Sequence, residues 1–352
     1  MNNGMDKLRN DIPSALILFD KPPGITSFDA LHSIKKSLGT GKVGHTGTLD
    51  KFARGLMLVL TGRALKLSPW FTGCDKRYNA TIFFGAETDT LDPEGVVVAN
   101  AELPSLNEFE KALPRFTGVI RQVPPQYSAI HINGKRASAL ARGGEAPEMK
   151  ERQVQIYEIK LLEWSMPYAR IHVHCSSGTY IRSLARDLAL AAGSRAHLSA
   201  LERTQIAGFM PVNWEQGTGI RGCCSIENIP SGLDSLNSKY ASPIPNTGPN
   251  TPISSPIPNP QSLIPFPIDK NVFRLLGIPW FEITEKEAPA FIQGKALAPI
   301  LADRRLIRDN LYMAPPGATE TLSAAVFRGE QLIALIEKTA NEWKYGYVYA
   351  RS

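Results

Sequence analysis

Apolar positions along the chain fall into short continuous runs and two kinds of spacing. Ala15 to Phe19 is an apolar run that stops at Lys21-Pro22-Pro23-Gly24, which predicts a short strand ended by a turn. Thr26 or Ser27 can cap a helix whose apolar residues, Phe28, Leu31, Ile34 and Leu38, recur at helical spacing. Tyr78 to Phe84 is β-branched and aromatic and predicts a strand. Val154 to Ile159 and Ala169 to His174 alternate, as strands do. Ile181 to Ala192 predicts a helix with Arg182 and Arg186 one turn apart on one face. Strands and helices interleave without a regular βαβ period. That pattern predicts an α+β fold, a sheet with helices packed on it, in place of a doubly wound one.

Proline divides the chain. Residues 241–268 hold nine of the 27 prolines and no charged residue, so neither a helix nor a central strand can run through them. They read as an extended linker between a large part, 1–240, and a small one, 269–352. In the small part, Leu322 to Phe327 and Leu332 to Glu337 predict two strands joined by a turn at Arg328-Gly329-Glu330, within a compact β-rich module.

Composition narrows the function classes. Lysine plus arginine is 39 and aspartate plus glutamate 33, a net charge of +6, which suits a polyanionic partner. Cys74, Cys175, Cys223 and Cys224 include no C-x-x-C pair, so neither a closed zinc site nor a disulfide framework is expected. The polar N-terminus has no signal-like apolar region, and no apolar run is long enough to span a membrane. The expected setting is cytoplasmic. Gly39 to Gly44 matches G-x-G-x-x-G, but a predicted helix precedes it where a dinucleotide site needs a strand. His172 and His174 share a strand face that Cys175 opposes, which does not make a metal site. Ser176-Ser177-Gly178 lacks a nucleophile-elbow context.

The segment Gly44-His45-Thr46-Gly47-Thr48-Leu49-Asp50 is different. Two glycines let the backbone bend or approach a ligand, and a histidine, two hydroxyls and a carboxylate follow one another closely. Phe52 to Leu60 is then strongly apolar, so Asp50 stands where a polar loop enters a buried strand.

GHTGTLDKFARGLMLVLTGRALK, from Gly44, resembles the catalytic motif of the bacterial TruB family of tRNA pseudouridine synthases. Four further blocks agree in order: ILFDKPPGITSFDALHSIKK from Ile17, DKRYNATIFFGAETDTLDPEG from Asp75, QVPPQYSAIHINGKRASALARGG from Gln122 and GTYIRSLARDLALAAGSRAHLSALERTQIAGF from Gly178. Five departures stand out. Lys51 replaces a usual proline, His131 a lysine, Ser138 a tyrosine, Ala189 a glycine and Glu202 an arginine. None falls on a residue expected to do chemistry.

The resemblance implies a pseudouridine-synthase fold, a central, mostly antiparallel or mixed sheet flanked by helices and loops, with a small C-terminal PUA-like domain. FIQGKALAP from Phe291 resembles the glycine-centred turn of that module. It implies an enzyme that isomerises uridine 55 in the T arm of tRNA to pseudouridine. The N-glycosidic bond is cut, uracil rotates, and C5 bonds to C1′. Asp50 matches the essential carboxylate; the roles open to it are attack on C1′, attack on C6 or removal of a C2′ proton. Arg182 matches the arginine that pairs with it. Tyr78 matches the tyrosine that stacks on the base and a possible proton acceptor at C5. Tyr180 and Leu201 match positions around the uracil, and His45 the residue entering the space the flipped base leaves. No cofactor, metal, membrane or obligate protein partner is implied, and a monomer is expected. Lys21, Lys66, Lys76, Arg77 and Arg142 are candidate phosphate contacts, and the linker would let the small domain swing onto the tRNA. A non-catalytic tRNA-binding or folding protein is the alternative, though it should lack Asp50, Arg182 or Tyr78. A guide-RNA-dependent synthase has no specific support.

Overall fold

Strand β1 (Ala15–Lys21) leads through a turn into helix α1 (Ser27–Leu38). Thr26 caps the helix reciprocally: its hydroxyl accepts from the Asp29 N–H, and the Asp29 carboxylate accepts from the Thr26 N–H, each at 3.1 Å. Gly39, at φ +62°, ends it in the left-handed region. The computed structural model describes residues 14–132, 134–145, 147–210, 266–297, 301, 322–339 and 342–349. The bulk of the proline-rich segment, 241–265, and Cys223 and Cys224 lie outside the described residues.

One large sheet organises the rest. It adds β2 (Val43–His45), β3 (Arg54–Thr61), β4 (Lys76–Phe84), β7 (Gly118–Gln122), β10 (Arg152–Ser165), β11 (Tyr168–Cys175), β12 (Ala196–Ile206) and β13 (Phe266–Pro267), in the order β13-β1-β3-β12-β4-β11-β10-β7, with β2 also on β3. All pairings are antiparallel except β3 with β12, which is parallel and limited to Arg54 opposite Glu202 and Gly55 opposite Arg203. The sheet is therefore mixed, in an α+β fold. Beyond Gly55, β3 turns its second edge to β2, and the loop from Thr46 to Ala53 fills the opening between β2 and β12. A short hairpin, β5 (Ala86–Thr88) and β6 (Val97–Asn100), leaves the main sheet after β4. A second, β8 (His131–Ile132) and β9 (Lys135–Arg136), follows β7 and runs into helix α4 (Ala137–Arg142).

Burial follows the pleat. β4 alternates buried and half-buried residues, with Tyr78, Ala80, Ile82 and Phe84 directed into a core formed with helices α3 (Leu106–Ala112) and α5 (Ile181–Ala191). Tyr78, Arg203 and Gly55 are register partners across β4, β12 and β3, so they share a face of the sheet. Met57 and Val59 continue that face and meet Ala30, Leu31 and Ile34 of α1. Every residue of β3 after Arg54 is buried, because its other face is covered too.

That cover comes from the small part of the chain. Leu16, Leu56, Leu58 and Leu60 pack with Phe71 of helix α2 (Ser68–Thr72), Phe273 of helix α6 (Lys270–Leu275), and Phe327 and Leu335 of a second sheet. This sheet has strands β14 (Trp280–Glu282), β15 (Leu322–Arg328), β16 (Gln331–Thr339) and β17 (Glu342–Val348) in sequence order. It also has a core of its own with Phe291 of helix α7 (Ala288–Ile292). Trp70 Nε1 lies 3.3 Å from Ser323 Oγ, and the Arg63 guanidinium stands 5.3 Å from the centre of the Tyr349 ring. Phe266 and Pro267 pair with β1 on the sheet edge, where proline is tolerated. The expectation of a swinging module does not hold: the small sheet and the large one share an apolar core. Among the described residues no helix is long and apolar enough to cross a membrane.

Candidate active site

The loop carrying Asp50 is fixed from three sides. From α1, Ser27 Oγ donates to the Leu49 carbonyl at 2.8 Å and accepts from the Leu49 N–H at 2.9 Å. From β1, the wholly buried Lys21 donates to the carbonyls of Pro22 (2.9 Å), Ile25 (2.8 Å) and Lys51 (3.4 Å). From β12, Arg203, 1% exposed, donates through Nε to the Leu56 carbonyl at 2.7 Å and through Nη1 and Nη2 to the Thr48 and Gly47 carbonyls at 3.3 Å. The Arg203 guanidinium thus occupies the edge of β3 where no strand pairs. Gly55 has to be glycine there. Its φ is +108°, and a Cβ would stand 2.4 Å from the Arg203 carbonyl oxygen.

Arg182, on the first turn of α5, is 4% exposed. Its Nε lies 2.9 Å from Asp50 Oδ2, and its Nη2 donates to Asp50 Oδ1 at 3.2 Å. Nη1 donates to the Thr90 carbonyl (2.8 Å) and to Asp92 Oδ2 (3.3 Å), and Nη2 also to the Tyr127 carbonyl (2.9 Å). One guanidinium therefore bridges two carboxylates. Asp92 is 5% exposed, and burial pushes its carboxyl above the usual range, against the Thr90 hydroxyl and Arg182, which favour the anion. Asp50 is more open, with about a third of its side chain exposed.

The remaining sequence candidates gather around this pair unevenly. Tyr78 and Leu201 are buried with Leu49 in one cluster. Burial pushes the Tyr78 phenol up to about 12, with the Arg203 guanidinium hydrogen-bonded beside it and opposing the shift. His45 ends β2 half-buried; its Nδ1 is enclosed without a partner, and burial, then the charges of Arg203 and Lys35, lower its pKa. Tyr180 stands just before α5. Its backbone N–H donates to Gln122 Oε1 (2.8 Å), its carbonyl accepts from Gln122 Nε2 (3.1 Å), and the Arg152 guanidinium lies 4.9 Å from its ring centre.

Two candidate phosphate contacts are corrected. Lys21 is spent on three carbonyls, and Lys76, 8% exposed, donates to the carbonyls of Thr72 and Cys74. Neither ammonium faces solvent. Lys66 and Arg142 are exposed, and Arg77 is half-buried. His172 and His174 serve neighbouring side chains, with His172 Nδ1 3.1 Å from Asn79 Oδ1 and His174 against the Asp75 carboxylate. Arg203 and Asp92 are the residues that sequence reasoning missed. The available signals were an arginine in an inward slot of β12, and an acidic turn, Asp89 to Glu94, with a buried arginine to meet.

A relative from Bordetella avium, a tRNA pseudouridine synthase B, is 46% identical over 209 residues, covering 58% of this chain and 86% of its own. The chain belongs to the TruB family. Residues 35–181 match the TruB family pseudouridylate synthase (N terminal domain). A tRNA pseudouridine synthase B from Treponema denticola is 46% identical over 214 residues, 55% of this chain. The chain spans about three fifths of the length of that relative and of its Treponema pallidum counterpart. Among solved structures, the crystal structure of a Cbf5-Nop10-Gar1 complex superposes with a TM-score of 0.59 at 20% identity, covering 98% of this chain and 87% of that one, a likeness of fold. Two departures from the TruB pattern find partners here: Lys51 pairs with Glu94 at 3.0 Å, and Glu202 with Arg54 at 2.9 Å.

Proposed function

We propose that this TruB-family chain isomerises uridine 55 in the T arm of tRNA to pseudouridine, with Asp50 as the essential carboxylate. The observation that carries the reading is the Asp50–Arg182 pair, with two contacts at 2.9 and 3.2 Å, on a loop held against Tyr78 by Arg203. A guanidinium on both oxygens favours the ionised carboxylate, the form that can attack C1′ or C6 or take a C2′ proton. Asp50 is also the more open of the two aspartates, as a group meeting substrate must be.

The neighbours fit a base-flipping reaction. Uracil leaves the stack, which costs a few kcal/mol. Tyr78, held protonated at neutral pH, offers a ring for the base to stack on and suits that role better than that of a resting base. Leu201 and Tyr180 flank the base, and His45, neutral in its half-buried place, enters the space left behind. Breaking the N1–C1′ bond, rotating uracil and joining C5 to C1′ conserves all atoms, because the proton lost from C5 is balanced by one gained at N1. Residues up to about 240 make up the catalytic part, and the small part, 269–352, contacts tRNA outside the target loop.

A synthetic T-arm stem-loop incubated with the purified chain tests this. Wild type should form pseudouridine at one position, and Asp50→Asn none. Binding without product in both would favour a non-catalytic tRNA-binding protein, and product from the variant would remove Asp50 from the reaction.

A further inference from the structure

Helix α1 places an aromatic side chain where its own spacing does not want one. Phe28 recurs with Leu31, Ile34 and Leu38, yet it is 71% exposed, the most exposed large apolar residue described. The buried stripe is instead Ser27, Ala30, Leu31 and Ile34. Its first place goes to Ser27 because the loop needs that hydroxyl, which both donates to and accepts from the Leu49 backbone. Phe28 is turned out as a result, one residue from a contact to the neighbour of Asp50.

One strip of this outer surface is aromatic and basic, beside the capping carboxylate of Asp29. His32 and Lys36 follow Phe28 at intervals of four, and both are exposed; Lys35 is half-exposed. Lys35 lies near enough to His45 to disfavour its protonation. Lys51, next to Asp50, lies near Asp29, whose carboxylate is already engaged in the cap. Thus α1 flanks the site loop at both ends, its first turn held to Leu49 through Ser27, the residue before Phe28, and its last turn bringing Lys35 near His45. α1 also packs on the sheet face that carries Tyr78 and Arg203. An exposed ring set among cations, continuous with a site for a polyanion, is complementary to single-stranded nucleic acid.

We propose that this surface of α1 is an RNA-contacting ridge that extends the site. Phe28 stacks on an unpaired base neighbouring the nucleotide held over Asp50, while Lys35 and Lys36 meet phosphates of the same strand. The inference rests on the reading of the site as one for RNA.

The test uses the full chain and a labelled T-arm stem-loop, with Kd measured over a series of salt concentrations. Phe28→Ala should weaken binding roughly five- to a hundredfold, the loss falling on Kd and KM more than on the rate at saturating RNA, and Phe28→Trp should restore it. The double variant Lys35→Gln, Lys36→Gln should flatten the salt dependence of log Kd by about one to two. Thermal melts of Phe28→Ala should match wild type, because that side chain is exposed. Phe28→Ala binding within about twofold of a wild type that itself makes product would overturn the ridge, whether or not the exposed ring serves a protein partner. A wild type that neither binds nor modifies the RNA would instead overturn the reading of the site.

Discussion

On one face of β3, Leu56, Leu58 and Leu60 meet Phe273, Phe327 and Leu335 with no charge among them. At the start of the strand and along its unpaired edge stand Asp50, Arg182, Asp92 and Arg203, four charged groups in which carboxylates and carbonyls meet two buried guanidiniums. Burying an apolar side chain contributes about 1.5–3 kcal/mol without demanding direction. Burying an arginine costs several kcal/mol unless acceptors are already aimed at it. The apolar side can therefore hold the fold while the charged side specifies one arrangement of the loop. The small sheet, by this comparison, is part of the foundation of the site and not an appendage to it.

The comparison breaks first at Phe327. Phe327→Ala should remove about 3–5 kcal/mol of stability, seen as a single lowered melting transition for both sheets, while the surviving folded protein keeps its turnover at low temperature. Separate transitions would mean that the shared core does not couple them. Arg203→Lys should act the other way. It should lose about 1–3 kcal/mol of stability, because buried carbonyls lose donors, but lower the single-turnover rate at saturating RNA far more than RNA affinity, as the Asp50 loop loosens against Tyr78. A rate equal to wild type would reduce Arg203 to a packing role.

A third test sharpens the comparison through pH, on the outward side of β11. Burial first, then Arg77, lowers His172 from 6.5 to about 4. Between those values the unfolded chain binds a proton that the folded chain does not, so stability is present above pH 6.5 and falls as pH drops towards 4. Melts of wild type and His172→Gln should diverge within that window, with the variant losing less. Parallel curves would show that the histidine titrates alike in both states.

Much of this fold is legible in the order of the residues alone. The apolar run of β1, the β-branched and aromatic run of β4, the alternation of β11 and the cap of α1 form where their patterns place them, because each depends on neighbours in sequence. Asp50 stands where a polar loop runs into an apolar strand, a pattern that a turn or cap also makes, and its proposed role is carried by the family resemblance. β12 is not legible in this way: it has few β-branched residues, and its place between β3 and β4 is set by partners more than a hundred residues away. Arg203 is hidden for that reason, since an arginine reads as solvent-facing until a strand edge without a partner is found beside it. Lys21 and Lys76 mislead in the same way: net charge counts them, but backbone carbonyls hold them. Phe28 shows the converse, a periodic apolar residue displaced from the core by a serine that the site requires.

The parallel seam between β3 and β12 has a mechanical consequence. The large sheet is two ladders, one bearing Asp50 and His45, the other Tyr78, Arg182 and Leu201, and only Arg54 with Glu202 and Gly55 with Arg203 stitch them together. The Asp50–Arg182 pair spans that join, so the groups proposed to react sit at the crack line of the molecule. Behind it, Ile206 and Phe209 from one ladder and Leu16 and Leu58 from the other are clamped in the same apolar mass as the small sheet. That mass works as a splint. The two halves of the proposed site are kept in register from behind the sheet, by apolar contacts that involve none of its charged groups.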